Sequence, residues 1–463
     1  MRILSLDVHG WRARYDDGFD DESVIRIADA LGLLWADAHP GATVLVGRDA
    51  RFRAAHFAEL AGSVLASYGL NVKVTDRPCP TPALGWCAAH DDACIGALML
   101  TASESSCEYN GVLLRGADGG PLSQAFCNEV NRIMPNEVTD ARGPIAHDDF
   151  VTPYIEGILA DIDVEAISAA GFKLVVDPMY GAAMDAVGPL FDALGCDASY
   201  LHCTPSSDFL GMHPVPAEPW VDKCEVQVLE RGADCGLVLD GDGDRATLID
   251  ERGRLVSRHN MVALLVRHLV ESRGMDGRVV VTTATSMRVR RQAELLGKTV
   301  TRVPVGFERI YEELSDGDVM MATEEYGGVC IPSHLYERDC LYACLLLIEH
   351  MAQTGRSLSS LVDELQETLG HMDYVRKDVR LDAAALQRLR NVLPGVNPES
   401  IAGRVPQAVS HGDGVRLEFD DGAWLLLRVS RSQPVARIYA EAATHEQSES
   451  LLNEAVDFAR EEL

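Results

Sequence analysis

Two patterns of apolar residues, one typical of strands and one typical of helices, alternate through the first three quarters of the chain. Short apolar or β-branched runs predict strands, and the stretches between them place apolar residues at i, i+3 and i+4, as amphipathic helices do. The strand-like runs cover 43–47, 71–75, 172–177, 236–240, 278–283 and 318–323. Strands that alternate with helices in this way predict parallel sheets covered by helices.

Polar breaks divide the chain into four parts. They lie near 134–144, 250–258 and 369–378. After the last break, strand-like runs and a terminal amphipathic helix predict a small α+β domain. We therefore predict an α/β protein with three similar domains built on mixed or parallel sheets, followed by a smaller α+β domain. The predicted boundaries are 1–140, 141–256, 257–371 and 372–463.

Composition supports an ordinary folded protein of several domains. The chain has 463 residues, of which 47% are hydrophobic and 24% charged, and this length exceeds what one core accommodates. The first ten residues do not resemble a signal peptide, and no apolar run is long enough to span a membrane. We expect a cytoplasmic protein whose 12 cysteines are reduced, because they form no CxxC or zinc-type spacing.

The net charge restricts the partners. A formal charge of −30 argues against nucleic acid and against anionic membranes, because both attract basic surfaces. An anionic small molecule would need a local basic cluster inside this acidic shell. Lysine is nearly absent, with five residues in the chain, so arginine must supply such a cluster.

A metal-type motif follows the strand-like run 236–240. Asp240, Asp242 and Asp244 alternate with glycine and are followed by Arg245, which places three hard oxygen ligands on one tight turn, as Mg²⁺ or Ca²⁺ requires. An EF-hand is excluded because Arg245 occupies the position that needs glycine and a strand precedes the loop. An acidic solvated turn remains the alternative.

Three further loops could carry chemistry. Ser103 lies in a serine-rich loop after a strand, where open α/β sheets place reactive groups, although such a loop is often without function. Glu324 and Glu325 close another strand beside two glycines and could bind hydroxyl groups, or form a simple turn. A run from Arg428 to Pro434, with Arg437 beyond it, could clamp a phosphate, because arginine presents a planar fork of donors. A solvated basic turn is the alternative.

Taken in order, the four motifs resemble those of the phosphohexose mutase superfamily. Its members carry a TASHNP-type phosphoserine loop ending in YNG, then DGDGDR, then a GEESGG-type sugar loop and an RxSGTEP-type phosphate loop. The resemblance covers essentially the whole chain. Supporting similarities to a phosphoglucomutase-like branch lie at 9–13, 47–51, 177–181, 305–307 and 337–339.

The resemblance implies four domains around a central cleft and an enzyme that interconverts hexose 1-phosphate and hexose 6-phosphate, of glucose or mannose. It implies a phosphoserine at Ser103, with Mg²⁺ shared between that group and Asp240, Asp242 and Asp244. Arg12 and Arg245 would stabilise the transferring phosphoryl group. The implied substrate-binding residues are Glu324, Tyr326, Arg428, Ser430, Arg431, Ser432 and Arg437. A hexose 1,6-bisphosphate would be intermediate and activator, hexose phosphates the only partners, and the protein a monomer or homodimer.

The chain departs from the family pattern near Ser103. Glu104 replaces the family histidine, and Leu113 replaces the lysine that follows YNG. Tyr326 replaces the serine of the sugar loop, and Glu308 a lysine. Two hypotheses therefore remain: a working mutase in which another group replaces the lost histidine and lysine, with Glu104 as the candidate general base, or a degenerate homologue that binds a phosphosugar or a partner without turnover.

Overall fold

The computed structural model describes residues 4–430 and 433–461, and its first sheet is mixed. The strands are β1 (Trp11–Arg14), β2 (Thr43–Arg48), β3 (Asn71–Thr75), β4 (Cys94–Leu100), β5 (Tyr109–Gly116) and β6 (Ala146–Asp148). The helices are α1 (Asp21–Ala38), α2 (Ala54–Ala66), α3 (Thr81–Ala89) and α4 (Gln124–Ile133). The order β1-β5-β4-β2-β3-β6 places β2 and β4 side by side and parallel, so the loops that follow these two strands meet at one edge.

The second sheet has the order β10-β9-β7-β8. Its strands are β7 (Lys173–Asp177), β8 (Asp197–Tyr200), β9 (Cys235–Leu239) and β10 (Ala246–Asp250). Its helices are α5 (Val151–Asp161), α6 (Val164–Ala170), α7 (Met184–Ala193) and α8 (Asp222–Arg231). Strands β9 and β10 are antiparallel neighbours, so the aspartate motif forms the short connection between them.

The third sheet has the order β12-β11-β13-β14. Its strands are β11 (Arg278–Thr282), β12 (Val300–Val303), β13 (Val319–Thr323) and β14 (Val329–Cys330). Its helices are α9 (Arg258–Glu271), α10 (Met287–Leu295), α11 (Phe307–Leu314), α12 (Cys340–Thr354) and α13 (Leu358–Leu369). The loop 324–328 connects β13 to β14, which places Glu324 at the carboxyl end of a central strand.

The fourth sheet is antiparallel, with the order β15-β19-β18-β17-β16. Its strands are β15 (Asp373–Arg380), β16 (Ala408–Ser410), β17 (Val415–Glu418), β18 (Trp424–Val429) and β19 (Val435–Ala442). Its helices are α14 (Ala383–Val392) and α15 (His445–Glu461). Strand periodicity explains the two faces of this sheet: one packs an apolar cluster against the helices, and the other carries aromatic and charged side chains.

The predicted fold class is confirmed: three α/β units precede an α+β unit. The domain boundaries stay predictions, and β6, which pairs with β3, lies beyond residue 140. One apolar cluster runs through the first three units, whereas the fourth has its own core. None of the described helices is long and apolar enough to cross a membrane.

A buried polar network joins the second and third units. Glu349 is 1% exposed and accepts hydrogen bonds from His268 Nε2 at 2.8 Å, Arg273 Nε at 2.9 Å and the Asp163 amide at 2.6 Å. Burial raises the pKa of Glu349, but the hydrogen bonds from His268 and Arg273 outweigh it and lower the pKa to about 2. Burial, and then His268, lower the pKa of His350 to about 4.

Acid should therefore weaken this joint. The folded pKa of Glu349 lies below its ordinary value of 4.5, so its stabilisation is complete above that value and is lost as pH falls toward the folded pKa. The depressed pKa of His350 acts in the same direction, because its stabilisation is lost as pH falls from 6.5 toward 4.

We predict that Glu349→Gln destabilises the protein at neutral pH by about 3 kcal/mol, because it removes the buried counter-ion of Arg273. The variant should also lose less stability than the wild type between about pH 7 and about pH 3. Thermal unfolding at both pH values measures both effects. Glu271→Gln, which removes an exposed partner of Arg267, is the control and should change little. If Glu349→Gln lost as much stability as the wild type between the two pH values, the prediction would be contradicted.

Candidate active site

Ser103 lies in a strained position immediately after β4. Its φ of 48° is in the left-handed region, which costs a non-glycine residue on the order of 1 kcal/mol or more and persists only when the surroundings enforce it. Ser103 Oγ donates a hydrogen bond to Asp240 Oδ2 at 2.9 Å, and its amide donates to Thr101 Oγ1 at 2.9 Å. The side chain thus points at the aspartate motif, although the residue is 3% exposed.

Arg51 holds the serine loop in this conformation. Its guanidinium donates to the backbone carbonyls of Ser103 at 2.6 Å, Ser105 at 2.7 Å and Ser106 at 2.7 Å. Asp49 orients the guanidinium through a contact of 3.0 Å. In the sequence, residues 47–51 are recognisable only as a family similarity, although an Asp-x-Arg after a strand parallel to β4 indicates a partner for the neighbouring loop.

The aspartate motif is packed tightly against the serine loop. Asp240 and Asp242 are 0% exposed and Asp244 is 2% exposed. One carboxylate oxygen from each lies within 4.8 Å of the others. A Cβ atom added at Gly241 would lie 2.5 Å from the Ser103 carbonyl oxygen, so only glycine permits this approach.

The three carboxylates perturb one another. Burial first, and then the neighbouring aspartates, raise the pKa of Asp240 well above its ordinary value. Burial, and then Asp244, also raise the pKa of Asp242. For Asp244, burial opposes ionisation, but Arg338 and Arg245 outweigh it and lower the pKa. The motif therefore gathers negative charge that protein groups neutralise only in part.

The donor set fits a hard divalent cation. Oδ1 of Asp242 and Oδ1 of Asp244 are buried and receive no hydrogen bond, which is costly for carboxylate oxygens unless a cation satisfies them. Carboxylate oxygens are the ligands that Mg²⁺ prefers, and Ser103 Oγ lies beside Asp240. The observation suits the predicted ligand set of Ser103, Asp240, Asp242 and Asp244.

Arg12, Arg245 and Glu104 surround this centre. Arg245 Nη1 contacts Glu104 Oε2 at 2.9 Å. Glu104 Oε1 is buried and has no hydrogen-bond partner. Arg12 is exposed on β1, and its charged neighbours include Asp242, Asp244 and Arg245. The structure thus brings together the predicted catalytic residues.

Arg338 links the metal motif to the sugar loop. Its Nη2 contacts Asp244 Oδ2 at 2.8 Å, and its Nη1 contacts Glu324 Oε2 at 3.1 Å. In the sequence, residues 337–339 are recognisable only as a family similarity, because nothing in their spacing indicates a contact that bridges two loops. The contact gives Glu324 a fixed orientation beside the metal motif.

Tyr326 is surrounded by cations. The guanidinium carbons of Arg376, Arg258 and Arg245 lie 4.2, 5.6 and 5.9 Å from the centre of its ring. Such contacts are favourable because the ring face carries partial negative charge. The predicted sugar loop therefore has a cationic lining that its own sequence does not reveal.

The predicted phosphate loop lies at the end of β18. Arg428 is 3% exposed and its Nε lies 3.1 Å from Asp413 Oδ2. Ser430 Oγ accepts a hydrogen bond from the Gln433 amide at 3.2 Å, and Arg437 donates to Gln433 Oε1 at 3.0 Å. Arg431 and Ser432, which complete the predicted clamp, lie outside the described residues. The roles of all these residues stay predictions.

Comparison with known proteins agrees with the resemblance to phosphohexose mutases. Family models described as phosphoglucomutase/phosphomannomutase, alpha/beta/alpha domains I, II and III, match residues 5–140, 152–253 and 257–369. The phosphoglucomutase/phosphomannomutase of Thermococcus kodakarensis is 30% identical, over 98% of each chain. A phosphoglucosamine mutase of Cereibacter sphaeroides is 28% identical over 94% of this chain and 93% of its own. A crystal structure assigned by name to phosphomannomutase from Thermus thermophilus has a TM-score of 0.88, with 30% identity and 99% coverage of both chains.

The fold and the related sequences are those of phosphohexose mutases, which are intramolecular phosphotransferases. The chain belongs to the phosphoglucomutase/phosphomannomutase family. Its relatives include enzymes named for different hexoses, so family membership leaves the sugar open.

We predict that Mg²⁺ raises the unfolding temperature of the wild-type chain, because a cation at about 100 times its dissociation constant stabilises the folded state by about 2.7 kcal/mol. Asp242→Asn should abolish most of this shift. Asp222→Asn is the matched control, since Asp222 belongs to an exposed acidic group with Glu218 and Glu225. Thermal unfolding over a Mg²⁺ titration is the measurement, and an equal shift in wild type and Asp242→Asn would contradict the assignment.

Proposed function

We propose that this chain interconverts hexose 1-phosphate and hexose 6-phosphate, with glucose or mannose as the hexose, through a phosphoserine at Ser103. The observation that carries the proposal is the contact of Ser103 Oγ with Asp240 at 2.9 Å, inside a buried set of three aspartates. A nucleophilic oxygen beside a prospective divalent cation is the arrangement that phosphoryl transfer requires.

The first transfer gives a hexose bisphosphate. The bond from phosphorus to Ser103 Oγ breaks as a bond forms to the free hydroxyl oxygen of the hexose phosphate, and the hydroxyl proton passes to a base. Glu104 is the proposed base, because its Oε2 is held by Arg245 while its Oε1 is buried without a partner. The contact with Arg245 also reduces the repulsion between Glu104 and a phosphorylated Ser103.

Charge neutralisation supplies most of the catalysis in such transfers. Asp240, Asp242 and Asp244 would hold Mg²⁺, which would neutralise charge on the transferring group. Arg245 and Arg12 would contribute fixed positive charge beside Ser103.

The bisphosphate must then reorient within the cleft, so that its other phosphoryl group is transferred back to Ser103. Groups remote from Ser103 have to hold the sugar and the phosphate that is not reacting. We propose that Glu324 binds sugar hydroxyls, in the orientation fixed by Arg338. The remaining proposed substrate contacts are Tyr326, Arg428, Ser430, Arg431, Ser432 and Arg437.

A second function is favoured by one observation. Leu113, at the position of the family lysine, is 3% exposed and belongs to an apolar cluster, so no proton-transfer group occupies that position. A homologue that binds phosphosugars without turnover is therefore the alternative.

Turnover of glucose 1-phosphate or mannose 1-phosphate, with Mg²⁺ and a hexose bisphosphate activator, separates the two functions. We predict conversion by the wild type and none by Ser103→Ala. Intact mass should show a species heavier by about 80 Da, the mass of a phosphoryl group, in the wild type alone. Ser105→Ala, a serine two positions away, is the control and should keep the modification. Tight binding of hexose phosphates by a wild type that converts none of them would sink the mutase proposal.

Glu104→Gln tests the proposed base. It keeps the shape of the side chain but removes its capacity to accept a proton, so kcat should fall by about 10²- to 10⁴-fold. Glu108→Gln is the control, because Glu108 pairs with the surface residue Arg14. Substrate affinity, measured by calorimetry, should change much less than kcat. A kcat within a few-fold of the wild type would remove Glu104 from this role.

A further inference from the structure

A cavity that Tyr326 and Arg376 help to line lies beside the sugar loop. Its volume is about 240 Å³, and its lining includes Arg258, His259, Glu325, Tyr326 and Arg376. The loop around Pro216 closes part of it. The cavity thus lies where the second, third and fourth units meet, next to the predicted sugar-binding residues.

Arg258 lines this cavity and has no ion-pair partner in the described part of the chain. It is the first residue of α9, and its Nη2 donates to the Pro216 carbonyl at 3.2 Å. Among residues 4–430 and 433–461, no carboxylate forms an ion pair with it. Desolvation lowers the pKa of Arg258. Glu104 and Asp240 are its negatively charged neighbours, but neither forms an ion pair with it, so an anion in the cavity would relieve part of the cost of burying the guanidinium.

Arg376 faces the same cavity with spare donor capacity. Its Nε and Nη2 bind Asp378 at 2.9 Å each, which leaves Nη1 without a partner in the described part of the chain. Asp378 also lies 3.6 Å from Arg437 Nε. One carboxylate is thus shared by two guanidiniums, and this surface keeps a net positive charge.

Strand register explains why the cations meet here. Arg376 on β15 pairs with Tyr439 on β19, and Asp378 pairs with Arg437. Arg437 in turn pairs with Arg428 on β18. These residues share the face of the sheet opposite its helices. The cationic surface therefore continues from the predicted phosphate loop to Tyr326.

The other titratable groups of the cavity do not cancel this charge. Burial first, and then Arg288 and Arg258, lower the pKa of His259 to about 3, so it is neutral near pH 7. Burial and Glu324 raise the pKa of Glu325. In a chain with a net charge of −30, this lining opposes two guanidiniums to one carboxylate, so its net positive charge favours anions.

We propose that Arg258 and Arg376 form a second oxyanion subsite, separate from the phosphate loop, for a phosphate or carboxylate group carried by the hexose. The subsite rests on the proposed function, because it assumes that the sugar lies against Glu324 and Tyr326. Two guanidiniums with free donors suit the paired oxygens of such a group.

Calorimetry on the full chain with Mg²⁺ tests the subsite. The probes are glucose 6-phosphate, glucose 1,6-bisphosphate, glucuronic acid 1-phosphate and inorganic phosphate. We expect Arg258→Gln and Arg376→Gln each to weaken at least one sugar probe by about tenfold, the loss expected for one charge-assisted hydrogen bond. Arg252→Gln is the matched control, since Arg252 pairs with Asp363 at the surface. It should bind every probe as the wild type does.

Different results identify the source of the anion. Weakening of the bisphosphate or of glucose 6-phosphate assigns the subsite to a phosphate of the substrate. Weakening confined to glucuronic acid 1-phosphate assigns it to an acidic sugar substituent. Weakening confined to inorganic phosphate overturns the proposal, as does wild-type affinity for all sugar probes in both variants.

Two further measurements keep the proposal testable. If a glutamine variant does not fold, tungstate soaked into wild-type crystals should give an anomalous peak between Arg258 and Arg376, and its absence overturns the proposal. Turnover by the wild type is measured separately. If the wild type does not convert hexose phosphates but the arginine variants bind the sugar probes more weakly than it does, the mutase function is contradicted and the subsite is supported. Normal turnover with unchanged affinities contradicts the subsite alone.

Discussion

Three buried carboxylates in one turn impose the main constraint on this molecule. Asp240, Asp242 and Asp244 lie against the Ser103 loop with almost no access to water, where like charges repel strongly and burial disfavours ionisation. The arrangement is stable only if other groups supply compensation. Thr81 Oγ1 donates to Asp242 at 2.7 Å, Arg338 contacts Asp244, and the oxygens left without a donor provide the place for a cation.

The compensating arginines also fix the positions of the loops. Arg338 contacts both Asp244 and Glu324, so a movement of the sugar loop would disturb the aspartate motif as well. Arg51 performs the corresponding task for the Ser103 loop through backbone carbonyls. Because each contact is charge-assisted and buried, its loss would leave an uncompensated group rather than a merely weaker contact.

The fourth unit is attached differently from the other three. The apolar cluster of the first three units does not extend into the fourth, which meets the third through a smaller apolar cluster of Ala284, Val305, Trp424, Leu426 and Tyr439 together with polar contacts. Asp413 accepts hydrogen bonds from the Val305 amide and Thr283 Oγ1, and Glu441 accepts them from the Met287 amide and Trp424 Nε1. Water can replace such contacts at lower cost than it can enter an apolar cluster. This joint has the smaller apolar cluster, so we expect it to open at lower cost than the contacts among the first three units.

The spacing of apolar residues along the chain predicted most of the fold. The polar residues that follow the strands predicted the centre of the candidate site. The strands at 43–47, 71–75 and 278–283 appear within one residue of their predicted ends, because buried parallel strands are short, apolar and bounded by polar turns. Ser103 and Asp240 were recognisable since each follows such a strand. Arg338, Arg258 and Arg376 were not, because their importance comes from contacts between units that no local pattern encodes. Because the chain contains many arginines, the sequence does not indicate which of them are functional until the structure shows which carboxylates each one contacts.

The replacement of the family histidine and lysine fits the same electrostatic logic. Leu113 lies on β5 and belongs to an apolar cluster. A lysine at this position would have to bury its charge among apolar side chains. Glu104 instead extends the acidic character of the serine loop, and Arg245 compensates it directly. In the proposed mechanism, this exchange would move the proton-accepting capacity from β5 to the residue beside Ser103. Arg245 would then serve both the proposed base, which it contacts, and a phosphoryl group on Ser103.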